Sequence, residues 1–153
     1  MTGIENRTEN DLFFACAVIE YLGRITKNTR SDIVKSLGKE QIAKLIELAD
    51  VLHCEPMEAV ADRLIAQHNI KSGSFDNVAH CKYTVPSHFD IAKVYKRLIA
   101  AVSKRHNMPL ADAVVLVYTS WISNKIDNYN SSMYYENPEY IFVSFEAGQV
   151  LAG

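Results

Sequence analysis

The sequence predicts an all-α protein, a single-domain bundle of six or seven helices over residues 1–153. Apolar residues recur at the three- and four-residue spacing of amphipathic helices along most of the chain. Capping residues and prolines stand where these periodic segments begin. A chain of 153 residues that is 48% hydrophobic and 22% charged also has the length and composition of one globular domain.

Caps and periodicity predict the first three helices. "TEND" at Thr8–Asp11 resembles a capping box, with Asp in place of the preferred Glu, before a helix of about residues 10–26. A short helix near Ser31–Leu37 ends at Gly38, which suits a left-handed cap. A third helix over about 39–53 places five apolar residues on one face: Ile42, Leu45, Ile46, Ala49 and Leu52.

Prolines and a serine mark the next three helices. Pro56 suits the first turn of a fourth helix, which buries Met57, Val60, Ala61, Leu64 and Ile65. "SHFD" at Ser87–Asp90 opens a fifth helix over about 88–105. Pro109 starts a sixth helix over about 109–127.

Two segments are left open. Residues 69–86 show no clear period and contain Gly73 and Pro86, so they form either a structured functional loop or a short hidden element. "NPE" at Asn137–Glu139 starts a last helix, but "YIFVSF" within 138–147 would also suit a strand.

One pattern resembles an internal repeat. "HCEP" at His53–Pro56 and "HNMP" at His106–Pro109 both place His near a helix end and Pro three residues later. Two related helical hairpins would explain this, but the preference of His for helix C-termini and Pro for N-termini produces the same pattern.

Charge, hydropathy and cysteine usage favour a cytoplasmic protein that does not span a membrane. The net charge of −2 gives no general attraction to nucleic acid or anionic lipid. The first residues lack the layout of a signal peptide, and the longest apolar run, Leu12 to Ile19, is too short to span a bilayer. Three cysteines are an odd number without a secreted pattern, so we expect reduced thiols.

The sequence does not favour a helix-turn-helix over Ser31–Asp50, and we do not expect nucleic acid as a partner. The second helix would have to bury Lys44 and Glu47, and it would present Glu40 and Asp50 to phosphates that repel them.

The fifth helix carries a basic stripe formed by Lys93, Lys96, Arg97 and Lys104, opposite its apolar face. Most such stripes are the solvated side of an amphipathic helix. The other interpretation is an electrostatic contact with an acidic partner protein or with phosphate.

We expect no metal and no cofactor. His53-Cys54 and His80-Cys81 would supply imidazole and thiolate ligands, but adjacent residues on a helix end diverge by about 100°, whereas zinc ligands are usually two to four residues apart. Cys81, with His80 and His88 nearby in sequence, is the thiol that a small hydrolase would use. No recognised catalytic motif accompanies it.

The stretch from Trp121 to Ile141 is rich in tyrosine, asparagine and serine. Trp121 continues the apolar face of the sixth helix and is predicted to anchor in the core. Tyr129, Tyr134 and Tyr135 fall in the following turn, with rings packed on the end of the bundle and hydroxyls in water. The alternative to an anchored loop is a recognition surface, which often has this composition.

The segments "FFACAVIEYLGRITKNTR" and "ELADVLHCEPMEAVADRLI" resemble the small helical bacterial proteins of the DUF3791 type. The resemblance covers roughly the first half of the chain, and "KVYKRLI" and "VYTSWI" read as a continuation of one family. It implies a partner-binding role, neutralising a toxin-like ADP-ribosyltransferase, and assigns no catalytic residue.

These observations together favour an intracellular protein-interaction module. Its expected partner is a protein, bound through Tyr129, Tyr134 and Tyr135 and the basic stripe, and its oligomeric state is left open. The alternatives are a helical protein that binds nucleotide or nucleic acid through the same residues, and a small hydrolase that uses Cys81.

Overall fold

A computed structural model describes residues 3–151, and the side chains of residues 7–151. The described residues form eight α-helices and one 3-10 turn, without a β-strand. In chain order these are α1 (Gly3–Thr26), α2 (Arg30–Glu47), α3 (Ala49–Leu52), α4 (Met57–His68), α5 (His88–His106), α6 (Leu110–Tyr118), α7 (Trp121–Asp127), the 3-10 turn (Met133–Tyr135) and α8 (Pro138–Ala147). The prediction of an all-α bundle is confirmed, and the last segment is a helix.

The number of helices differs from the prediction because two predicted helices are broken. The third ends at Leu48, whose φ of −98° and ψ of 11° are not helical, and it joins the second across a kink at Gly38 (φ 80°, ψ 160°). The sixth breaks after Tyr118. There the Thr119 and Ser120 hydroxyls donate hydrogen bonds to the carbonyls of Val115 (2.6 Å) and Val117 (2.7 Å), which favours leaving the helix.

The predicted caps are confirmed for α5 and corrected for α1. Ser87 and Asp90 form a complete capping box, with Asp90 N donating to Ser87 Oγ (3.0 Å) and Ser87 N to Asp90 Oδ2 (2.9 Å). Thr8 does not cap α1, because the helix already includes Gly3 and carries residues 7–10 on exposed positions that tolerate polar side chains. Pro56 and Pro109 each stand one residue before their helix.

The core lies between interleaved halves of the chain. α1 packs on α5 and α2, α2 packs on α6, and α8 packs on α5. Tyr118 and Ile122 are fully buried at this centre, whereas Trp121 is half-buried and packs against the core from its edge. Trp121 therefore contacts the core as predicted, but the fully buried positions of this segment are Tyr118 and Ile122.

The helices α4 and α5 end in the same way, whereas the sequence predicted this similarity for the helices that end at His53 and His106. Asn69 (φ 51°, ψ 48°) and Asn107 (φ 50°, ψ 50°) both adopt the left-handed conformation directly after a histidine. The following N–H in each case bonds back five residues, from Ile70 to Ile65 (3.1 Å) and from Met108 to Ser103 (3.1 Å). Cys54 follows His53 as Asn107 follows His106, but Cys54 does not have a positive φ, so the predicted pairing of His53 with His106 does not extend to the backbone.

None of the helices within residues 3–151 has the length and apolar character needed to cross a membrane.

Candidate functional site

The two sets of residues predicted to bind a partner meet at Arg97. A recess of about 240 Å³ is lined by Arg97 on α5, by residues 134–138 and by Ile141 on α8, with Val94 and Leu98 beside Arg97. Tyr135 is 68% exposed at its edge, and Tyr134 is half-buried. The fold therefore brings Arg97 together with the exposed ring of Tyr135, the half-buried ring of Tyr134 and apolar side chains from positions about forty residues apart. Glu136 lines the same recess but forms no ion pair with Arg97 within 4.0 Å.

A second recess of about 240 Å³ adjoins the first across the same tyrosines. Tyr83, which is 68% exposed, lines it together with Tyr134 and Tyr135. The Tyr134 ring packs edge-on against Tyr135, with ring centroids 5.0 Å apart. We call the patch formed by Tyr83, Arg97, Tyr134 and Tyr135 the tyrosine–arginine surface. Tyr83 was not predicted to bind a partner, because it is distant in sequence from the tyrosine-rich turn.

The rest of the basic stripe continues from this surface along α5. Lys93, Arg97 and Lys104 are exposed and Lys96 is half-buried. Lys96, Arg97 and Lys104 line a shallow depression of about 420 Å³ with Glu9, Ala100 and Ala101. Among the described side chains, none of the four basic residues has a carboxylate oxygen within 4.0 Å.

Tyr129 also lines the second recess, but it is buried and is not one of the exposed tyrosines. It is only 2% exposed, and its hydroxyl accepts hydrogen bonds from Arg24 Nη2 (3.1 Å) and Arg30 Nη2 (3.4 Å). The guanidinium groups of Arg30, which is buried, and Arg24, which is half-buried, hold this hydroxyl inside the fold, whereas the hydroxyl of an interface tyrosine would face water. The expectation of a solvated Tyr129 hydroxyl is therefore wrong.

A buried polar cluster that the sequence analysis missed lies beneath Tyr129. Arg30 Nε donates to Glu20 Oε1 at 3.2 Å, and neither side chain is exposed. Tyr118 donates its hydroxyl to Glu20 Oε2 (2.9 Å), and Arg30 Nη1 donates to the carbonyl of Asn28 (3.1 Å). Glu20 could have been noticed because it interrupts the apolar run on α1, where a charge is expensive unless it is paired.

A second buried carboxylate, Asp127, extends the cluster. Tyr95 donates its hydroxyl to Asp127 Oδ1 (2.8 Å), and Ser123 donates to Asp127 Oδ2 (3.4 Å). The Tyr95 and Tyr118 rings are stacked with centroids 3.8 Å apart, so the Asp127 and Glu20 networks are in direct contact.

The cluster holds two carboxyls and one guanidinium in a low-dielectric interior. Burial raises the pKa of Glu20 to about 7, although Arg30 opposes the rise. Burial also raises the pKa of Asp127, again against the opposing charge of Arg30. One guanidinium does not neutralise two carboxylates, so the arrangement favours holding a proton on one of the acids near neutral pH.

The 69–86 segment is an irregular but well-bonded connection that covers this cluster. Gly73 N donates to the carbonyl of Thr26 (2.8 Å) and Phe75 N to that of Lys27 (2.8 Å). Asn77 Nδ2 donates to the carbonyl of Asp127 (2.9 Å). No helix or strand is hidden in it, and turns and bends lead directly from α4 to α5.

A polar cleft of about 490 Å³ opens between this connection and the chain after α7. Residues 74–77, His80, Asn124, residues 127–130 and Thr29 line it. Its most deeply buried lining residues are Asn77, Asp127 and Tyr129, which are 9%, 3% and 2% exposed. The cleft thus connects solvent to the buried polar cluster.

The His-Cys pairs do not assemble into a shared site. Cys81 Sγ donates to the carbonyl of Tyr83 (3.3 Å), while the ring of His88 packs against Phe89 (4.1 Å between centroids). His53 Nδ1 is 2.9 Å from the carbonyl of Ala49. Among residues 7–151, no three His, Cys, Asp or Glu side chains are grouped so that they could hold a metal ion.

Comparison with known proteins adds no family assignment: no family model, curated protein or solved structure matches the chain.

Proposed function

We propose that the protein is an intracellular protein-interaction module that binds an acidic segment of a partner protein through the tyrosine–arginine surface. The observation that carries this proposal is the shared recess in which Arg97 of α5 lies with Tyr134 and Tyr135. Two features that are separate in sequence become one patch with an aromatic edge, an apolar lining and a positive charge.

The chemistry of this patch suits protein recognition. Tyr and Arg are enriched among the residues that carry most of the binding energy at interfaces, because each combines a large apolar area with hydrogen-bond donors. Tyr83 and Tyr135 expose 68% of their surface, so both are available to a partner. Val94, which is half-buried beside Arg97, would contact an apolar side chain next to the acidic group.

The charge on α5 favours an acidic partner. Lys93 and Lys104 are exposed along the same helix as Arg97, and no carboxylate of the described side chains pairs with them. Unpaired positive charge raises the association rate of an acidic partner, an effect that salt screens over about 8 Å at physiological ionic strength.

The cytoplasm is the proposed compartment, supported by three free cysteines, of which Cys54 is exposed. On the basis of the DUF3791 resemblance, the proposed partner is a toxin-like ADP-ribosyltransferase that this protein would neutralise. A nucleic-acid ligand could use the same tyrosines for stacking and the same basic residues for phosphate, and it is the second candidate.

Site-specific photo-crosslinking tests the proposal. A photoreactive phenylalanine analogue replaces Tyr135 in the full chain, and the same analogue replaces Gln67 on an exposed position of α4 as the control. In cells of the native host we expect one protein to crosslink at position 135 and not at position 67. Crosslinked RNA or DNA would favour the second candidate, and equal labelling at both positions would contradict a specific surface.

Binding to the identified partner is then measured with charge-reversal variants. Arg97→Glu should weaken binding at least about tenfold, which corresponds to about 1.4 kcal/mol. Lys35→Glu, an exposed change on α2, is the matched control and should have little effect. Affinity should fall modestly with salt, whereas steep log-linear loss is the behaviour of phosphate binding.

A further inference from the structure

We propose that the polar cleft beside the buried polar cluster is a binding site for a small uncharged sugar. This site is distinct from the tyrosine–arginine surface in its chemistry, since its lining residues include amides, hydroxyls and carboxyls but no Lys or Arg. The proposal rests on the size of the cleft, on its unused hydrogen-bonding groups and on the balance of its charges.

The cleft has the dimensions of a ligand site. Its volume of about 490 Å³ lies within the range of about 300–1,000 Å³ that is usual for small-molecule pockets. Asn77 is held by its hydrogen bond to the carbonyl of Asp127, and Asp127 and Tyr129 are held by Tyr95 and Arg24, so the deep end of the cleft is formed before any ligand arrives.

Several polar groups of the cleft have hydrogen-bonding capacity to spare. Asn77 is nine-tenths buried, and while its amide nitrogen bonds to Asp127, its amide oxygen receives no hydrogen bond from the described residues. Asn128 uses its amide oxygen to accept from Asn130 N (3.0 Å), leaving its amide nitrogen available. The side chains of Ser74 and Asn124 make no hydrogen bond within residues 7–151.

These unused groups include both donors and acceptors. A sugar hydroxyl can donate and accept at once, and a carboxamide offers an N–H donor and a C=O acceptor at neighbouring positions. A ring of hydroxyls could therefore satisfy Asn77, Asn124 and Asn128 together, which a ligand with acceptors alone could not do.

Both carboxyls that line the cleft already accept hydrogen bonds from the protein. Asp76 accepts a hydrogen bond from Ala79 N (2.9 Å) and lies 3.7 Å from Lys27 Nζ. Asp127 is engaged by Tyr95 and Ser123 and feels the positive charge of Arg30. A phosphorylated ligand would bring negative charge to a lining that holds two carboxyls and no Lys or Arg, with His80 as its single imidazole, so an uncharged molecule fits better.

Phe75 supplies an apolar wall. Its ring is half-buried, with the Arg30 guanidinium carbon 6.0 Å from the ring centroid. The C–H groups of a sugar ring carry slight positive charge and pack well on the negative face of an aromatic ring. The amides of the cleft thus suit the hydroxyl groups at the edge of a sugar ring, and Phe75 suits the C–H groups on its face.

Saturation-transfer NMR on the full chain tests the proposal with glucose, N-acetylglucosamine and maltose at millimolar concentration. We expect at least one of these sugars to show a saturation-transfer signal. The signal should decrease on dilution as the complex dissociates. Glucose 6-phosphate is the charged comparison, and titration of its signal should give a Kd at least about tenfold higher. Absence of binding by all three neutral sugars, or preference for the phosphate, would overturn the proposal.

Tryptophan substitutions test whether the sugar binds in the cleft. Asn124→Trp and Ser74→Trp place a large ring in the cleft from opposite walls at exposed positions, and Gln67→Trp places the same ring on α4 as the control. Either cleft variant should weaken binding at least about tenfold while circular dichroism and thermal unfolding remain those of the native chain. Unchanged binding in both folded cleft variants would show that the sugar sits elsewhere and would refute the assignment.

Discussion

Arg30 and Glu20 form an ion pair in the interior, with Arg30 Nε 3.2 Å from Glu20 Oε1 and both side chains fully shielded from solvent. The pair connects the start of α2 to the C-terminal third of α1. Tyr118 and Tyr129 complete its hydrogen bonding from the second half of the chain. Removing two charges from water is expensive, so this pair is stable only while each group retains its partners.

Breaking the pair from one side should therefore be costly. We expect Arg30→Met to lower the free energy of unfolding by about 3–5 kcal/mol, because Glu20 remains buried without its guanidinium. The double variant Glu20→Gln with Arg30→Met should lose less, since no unpaired charge remains. Urea denaturation measures both, and Arg63→Met, which breaks an exposed pair with Glu55, is the control expected to change little. A double variant less stable than Arg30→Met would contradict this account.

The same carboxyl should make stability depend on pH. Because burial raises the pKa of Glu20 from 4.5 to about 7, the folded chain holds this proton more tightly than the unfolded chain. Its stabilising contribution is then complete below about pH 4.5 and is lost as the pH rises through about 7. Asp127 acts in the same direction, since its pKa is also raised.

Glu20→Gln measures this contribution directly. We expect the unfolding free energy of the native chain, minus that of the variant, to decrease between pH 5 and pH 8. Urea titrations at a series of pH values provide both quantities under matched conditions. A difference that increases with pH would mean that Arg30 lowers the pKa of Glu20 below its ordinary value instead.

Gly23 makes room for Arg30. A Cβ atom added at Gly23 would lie 2.5 Å from Arg30 Cδ and 2.7 Å from Arg30 Nε. Alanine is the better helix former by about 0.5–1 kcal/mol, yet we expect Gly23→Ala to destabilise the protein by about 1–3 kcal/mol because the guanidinium must shift. Thermal unfolding tests this, with Ser36→Ala on the exposed side of α2 as the control. A more stable Gly23→Ala variant would show that the interior accommodates the methyl group.

The capping box of α5 predicts a smaller effect. Ser87→Ala removes the acceptor of the Asp90 N–H and should lower the unfolding free energy by about 1 kcal/mol. Ser72→Ala, an exposed change in the same connection, should leave it nearly unchanged. Chemical denaturation of the native chain and the two variants measures these free energies. If Ser87→Ala is as stable as the native chain, water replaces the hydrogen bond of the cap.

The helices were predictable where their signals are local. Helical periodicity and the Ser87 cap depend on residues three or four positions apart, and both predictions agree with the structure. The breaks at Leu48 and after Tyr118 were missed because apolar spacing continues across them. At Thr119 the outcome depends on a hydroxyl that bonds to the preceding turn, a competition that periodicity does not register.

The candidate sites were predictable only in part. The basic stripe is a property of one helix and was visible in the sequence, but its proximity to Tyr134 and Tyr135 depends on how α8 packs on α5. The assignment of Tyr129 to the surface failed because its two arginine partners lie about one hundred residues earlier. Glu20 and Arg30 are ten residues apart, and as charged residues they would ordinarily be expected at the surface.

The interleaving of the two halves has a consequence for the integrity of the chain. Since α1 packs on α5 and α2 on α6, residues before and after the 69–86 connection supply opposite walls of one core. A protease that cuts at the exposed residues 82–84 would leave two pieces whose apolar faces fit each other. The nicked protein should migrate as one species until denaturant is added, and the halves produced separately should recover helical structure only when mixed.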